Sequence, residues 1–170
     1  MSEAFTLYKL IVLYMLEKVD FPLTNGQISE FILDKEYTSY FTLQQAISEM
    51  VESGFICEES THNRTLYHLT EEGENTIQYF KTNISPAIRN DIDSFIEEKS
   101  YELKNEVSVK ADFYPNNSNE YSVRCQIFEG TSSLIDLTIS VPTKKEAETV
   151  ANHWNRKHQE IYAYIMANLL

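Results

Sequence analysis

The chain has 170 residues, a formal net charge of −12, 42% hydrophobic and 12% aromatic residues. That is apolar material for one large or two small packed domains, and too much for a disordered chain. The acidic total argues against a broad basic surface built to grip phosphates, although a few local groups can still do so.

Residues 5–19 predict a helix that is clearly polar only at Thr6, Lys9, Glu17 and Lys18. A helix apolar nearly all round must be covered on more than one side. The expectation is a core on one side and a second subunit on the other, shared with the last helix. The run Leu10 to Leu16 is too short to span a bilayer, which takes about 20 residues. No basic start or small-residue cleavage site marks a signal peptide. A cytoplasmic protein without membrane contact is expected.

After a break at Pro22, Thr24-x-x-Gln27 is a capping-box pattern that opens a helix through about Leu33. Asp34 to Phe41 reads as a turn. Thr42-x-x-Gln45 is a second such pattern, and the helix it opens buries Leu43, Ile47, Met50 and Val51 and stops at Gly54. Residues 55–59 and 65–69 alternate as strands around a polar tip at Ser60 to Arg64. Thr70 caps the next helix, with Glu71 and Glu72 at its positive end. Helix, turn, helix, hairpin and helix in this order predict a winged helix-turn-helix over residues 1–83, with its second helix placed to enter a major groove.

Ser85-Pro86 starts a long linking helix to about Glu106. Residues 107–115, 120–129 and 133–142 predict three strands in a meander, with Val123, Cys125 and Ile127 inward and Ser122, Arg124 and Gln126 wet. The same period puts Ile135, Leu137, Ile139 and Val141 inward. Thr143-x-x-Glu146 caps a last helix whose core face carries Ala147, Val150, Ala151, Trp154, Ile161 and Ile165. The expected class is α+β. Residues 1–83 form the winged helix, and 84–170 a three-stranded antiparallel sheet with flanking long helices.

Residues 1–83 hold five basic residues against thirteen acids, and no Lys or Arg lies between Glu36 and Asn63. DNA contact would therefore rest on neutral groups. Gln44, Gln45 and Ser48 would meet base edges, because glutamine pairs with adenine through two hydrogen bonds. Thr24, Asn25, Thr42 and Arg64 would meet phosphates, with Tyr40 beside them. His62, Asn63 and Arg64 form the tip that would approach the backbone or the minor groove. The alternative reading is an acidic protein–protein interaction module without direct DNA binding, since negative charge favours basic protein partners.

Catalytic readings find no support. The four glycines form no phosphate loop, and no nucleophile motif is present. His62, His68, His153 and His158 do not converge as metal ligands. No enzyme activity, cofactor or metal is expected. Cys57 and Cys125 are expected as buried thiols. Aromatics Phe113, Tyr121, Phe128 and Trp154 are core candidates, and leave a small-molecule effector open.

The stretch Thr42-Leu-Gln-Gln to Met50-Val-Glu-Ser-Gly54-Phe-Ile, followed by Thr65-Leu-Tyr-His-Leu-Thr-Glu-Glu-Gly73, resembles winged-helix regulators of the PadR and MarR type. Across nearly its whole length the chain is similar to a bacterial family of unknown function, number 4364 in the domain-of-unknown-function series. The resemblance implies a dimeric DNA-binding transcription regulator.

Overall fold

A computed structural model describes residues 2–61 and 64–170. It is a mixed α+β structure that divides into two compact units, Met1–Lys104 and Asn105–Leu170. Among the described residues there are six α-helices and two three-stranded antiparallel sheets. No described helix is long and apolar enough to cross a membrane.

The first unit runs α1 (Glu3–Glu17), β1 (Leu23–Thr24), α2 (Asn25–Asp34), α3 (Tyr40–Glu52), β2 (Ile56–Ser60), β3 (Thr65–Leu69), α4 (Glu71–Phe80) and most of α5 (Pro86–Ser108). β3 is central, pairing with β1 at Leu23↔Tyr67 and with β2 from Ile56↔Leu69 to Ser60↔Thr65. α1 packs against α3, α4 and β3. Every residue from Leu10 to Leu16 is buried as a result. Each such apolar side chain contributes roughly 1.5–3 kcal/mol on burial. The core continues through Ile28, Phe31, Ile32, Leu43, Ile47 and Met50 to Ile84 and Ile92. α5 therefore packs its first half with the N-terminal elements, and Phe95 lies 4.9 Å from the Phe31 ring. The compact division falls at 104/105 because Ile88, Ile92, Phe95 and Ile96 face this core.

Local chemistry explains most boundaries. Thr24 and Gln27 form a reciprocal capping box, with Gln27 N–H donating to Thr24 Oγ1 at 3.0 Å and Thr24 N–H to Gln27 Oε1 at 2.9 Å. Glu36 takes a left-handed φ of 55° in the turn after α2. α3 begins three residues earlier than its sequence pattern predicts. Ser39, not Thr42, is the cap, and its Oγ accepts from Thr42 N–H at 3.2 Å. The hydroxyl three residues upstream occupies the capping position first. Gly54 ends the helix with φ +77°, which an L side chain rarely adopts. Thr70 ties the hairpin exit to α4 twice: its hydroxyl donates to Phe55 O at 2.8 Å and accepts from Gly73 N–H at 3.1 Å.

The second unit comprises β4 (Val109–Pro115), β5 (Tyr121–Glu129), β6 (Ser132–Val141) and α6 (Lys144–Leu169), with β5 central. Val107 lies in the last turn of α5, which ends at Ser108, rather than opening β4. Val109, Ala111, Val123 and Cys125 pack on Ala147, Ala151 and Trp154 of α6. The Trp154 indole N–H donates to Gln126 O at 3.3 Å. The opposite face is wet, and there the Arg124 guanidinium holds Asp136 through bonds of 3.0 and 2.6 Å. The expected inward set on β6 is only partly met, since Ile139 is 44% exposed. β6 is an edge strand, and α6 lies chiefly over β4 and β5. Cys125 is buried and Cys57 is exposed, so only one of the two thiols is in a core. Burial pushes the Cys125 thiol up to about 11.

Candidate nucleic-acid interface

α3 owes its position to a polar joint rather than to apolar packing alone. Asn25, at the first turn of α2, exchanges two hydrogen bonds with Gln44: Asn25 Nδ2 donates to Gln44 Oε1 at 2.7 Å, and Gln44 Nε2 to Asn25 Oδ1 at 3.0 Å. Asn25 Nδ2 also reaches the Tyr67 hydroxyl on β3 at 3.2 Å, and Ser29 Oγ donates to Asn25 Oδ1 at 3.0 Å. The joint ties α2, α3 and the sheet together. Burial raises the Tyr67 phenol above its ordinary value, the Glu58 charge adds to this, and the Asn25 bond opposes it. The phenol stays neutral and can accept.

This bonding redistributes the expected contact residues. Thr24 is 4% exposed, its hydroxyl spent in the capping box, so it offers no surface to a phosphate. Asn25 and Gln44 are half-buried and hold each other, which makes them braces rather than free contact groups. Thr42 is half-buried with its hydroxyl 2.9 Å from that of Ser39. Tyr40 is 47% exposed, and Gln45 and Ser48 are exposed. Arg64 is half-buried, and its carbonyl accepts from Thr61 N–H at 2.8 Å across the hairpin tip. His62 and Asn63 lie outside the described residues.

The outer side of α3 is therefore Tyr40, Phe41, Gln45, Ser48 and Glu52. Phe41 is absent from the residues expected from sequence, yet it is 84% exposed. Helical spacing carries the signal: once Leu43, Ala46, Ile47 and Met50 face inward, positions 41, 45, 48 and 52 share the opposite face. Glu49, next on the helix, is drawn aside by Lys9 of α1 in an ion pair of 2.7 Å. That bond holds the Glu49 carboxyl below its ordinary value. Lys9 is only 16% exposed, so the pair neutralises Glu49 from beneath the surface. From Tyr40 to Ser48 the outer face carries no charged side chain.

A groove of about 250 Å³ also lies in this unit, lined by Phe31, Asp34, Asp91, Phe95, Glu98 and Lys99 among others. Three of its charged groups are engaged: Lys99 pairs with Glu30 at 2.9 Å, and Asp91 accepts from the Tyr37 hydroxyl at 2.6 Å. Among the described residues, no group of three or more His, Cys, Asp or Glu could hold a metal ion.

Residues 8–169 match the family described as "Domain of unknown function (DUF4364)", and the chain belongs to that family. No curated protein and no solved structure matches it.

Proposed function

We propose that the first unit is a winged helix, with α2 and α3 as its helix pair and β2–β3 as its wing. A homodimer of the chain would use it to bind duplex DNA and regulate transcription. The observation that carries this reading is the uncharged stretch from Tyr40 to Ser48 on the outer face of α3, held away from the core by the Asn25–Gln44–Tyr67 joint. A groove floor is itself uncharged and is read by amides, hydroxyls and apolar groups. Gln45 and Ser48 are the exposed groups of that kind, with Tyr40 at the start of the helix and Arg64 at the hairpin tip. The positive end of the α3 dipole adds a weak attraction for phosphate.

With few cations at the surface, phosphate contacts are few and binding is only weakly salt-dependent. Two contacts would give a log–log salt slope of about −2. The dimer rests on α6, whose second half leaves Ile161, Tyr164, Met166 and Leu169 exposed. α1 needs no second subunit, because its own unit covers Leu10 to Leu16. Symmetric recognition of one duplex face would call for half-sites about 34 Å apart.

The test is binding to genomic fragments at low and at physiological salt, with molar mass measured in parallel. Sequence-selective binding is expected, with Arg64→Ala weakening it on every sequence and Gln45→Ala changing the preferred one. An absence of selective binding at both salts would overturn the reading. A second reading, an acidic protein-docking module, draws on the exposure of Phe41 on a helix that carries no Lys or Arg. Recovery of one stoichiometric basic protein and no nucleic acid would favour it.

A further inference from the structure

Phe41 is the largest unexplained apolar group on the first unit's candidate face. It sits in the first turn of α3, where a helix lying in a major groove contacts base edges. Among the described residues its ring partner is Tyr40, whose ring stands edge-on at 6.0 Å between centroids and 78° between planes. That contact leaves Phe41 84% exposed.

The surroundings decide what Phe41 fits. A protein-docking hot spot is a buried anchor in an interface of about 800 Å² per partner. Here two aromatic rings are followed along the helix by an amide and a hydroxyl, with no further apolar side chain on that face before Glu52. The patch matches a ligand with one small apolar group set among hydrogen-bonding atoms. The major-groove floor has that composition: its single apolar group is the thymine C5-methyl, and adenine beside it offers the paired donor and acceptor that a glutamine amide matches. Phe41 and Gln45 are one helical turn apart on the same face, about 6 Å along the axis, which spans roughly two base-pair steps.

We infer that Phe41 reads a thymine methyl and that Gln45 reads an adenine one or two steps away, so the preferred half-site contains an A·T pair under each residue. This rests on the DNA-binding reading above and adds a specificity to it.

The experiment selects bound duplex from a random pool with the full chain. Each thymine in the selected duplex is then replaced, one at a time, by deoxyuridine, which deletes only the methyl group. At one position per half-site the wild-type chain should lose about fourfold in affinity, the worth of one buried methyl. Phe41→Ala should bind thymine and deoxyuridine duplexes equally, while Phe41→Leu keeps part of the discrimination. Phe41 is exposed, so neither variant should alter the unfolding midpoint. A selected duplex with no position sensitive to the methyl would overturn this inference and leave DNA binding standing. Discrimination that survives in Phe41→Ala would do the same. If no duplex is enriched, both the inference and the reading beneath it fall.

Discussion

α1 and α6 look alike as sequences, since each carries more apolar surface than one packing face needs. Their surroundings differ. In the first unit α1 lies against α3, α4 and the sheet, and seven consecutive residues from Leu10 to Leu16 are buried. In the second unit a three-stranded sheet buries Ala147, Ala151 and Trp154 of α6 and half-covers Val150. Beyond that length the helix outruns the sheet, leaving Leu169 at 78% exposure. An apolar stripe therefore does not by itself call for a partner subunit. What decides is how many neighbouring elements the topology brings to it.

One substitution applied to both helices measures the contrast. Ile11→Ala, at a fully buried site on α1, should cost about 2–5 kcal/mol in denaturant unfolding. Ile161→Ala, at a site 36% exposed on α6 in the single chain, should cost less than about 1 kcal/mol at dilutions where the chain is monomeric. Equal losses in the monomer would break the comparison, whereas a larger loss only at concentrations that give a dimer is what the proposed α6 interface requires. Asn25→Ala comes next. It leaves the half-buried Gln44 amide and the Tyr67 hydroxyl without their partner, at about 1–2 kcal/mol. The second unit has no joint of this kind linking a helix to the sheet through paired side-chain amides among its described hydrogen bonds.

The two units should also part in alkali. Folded Cys125 keeps its proton up to about 11, whereas the unfolded thiol loses it near 9.0. The folded form then holds more protons, so stability of the second unit falls as pH rises through that window, and Cys125→Ala should flatten the slope. In the first unit burial, with Asp91 beside it, raises Tyr37 from an ordinary 10.0, so its loss begins at higher pH. Unfolding free energy measured from pH 8 to 11, an experimental range of about three units, would show the order. The smallest effect belongs to the wet face of the second sheet. Arg124→Ala removes an exposed pair with Asp136 and should cost below about 1 kcal/mol.

What the sequence makes legible is short-range. The boxes at Thr24 and Thr143 form as their spacing predicts, and Gly54 takes the left-handed conformation expected after a helix. The same spacing misleads at Thr42, because Ser39 offers an equivalent hydroxyl and packing selects between them. Strand pairing is legible from alternation on β5 but fails at Ile139, where burial depends on how far α6 reaches across the sheet. The candidate contact face is legible only in part. Gln45 and Ser48 are outside, but Thr24 and Gln44 turn inward because their partners, Gln27 and Asn25, sit where only the folded chain places them. Phe41 could be found only after the inward face of α3 was assigned. Lys9 and Glu49, forty residues apart, meet through tertiary structure alone.

Gly73 carries a consequence of its own. A methyl group there would overlap the Phe55 carbonyl oxygen and press on Leu69, because the first turn of α4 passes directly against the chain entering β2. At Gly26 the same methyl would meet only Thr24 Oγ1, at 3.7 Å. In a saturation library of this chain, position 73 should accept nothing larger than hydrogen, and position 26 should take alanine without penalty. The two glycines offer an internal ruler for how tightly backbone is pressed on backbone at the exit of the hairpin.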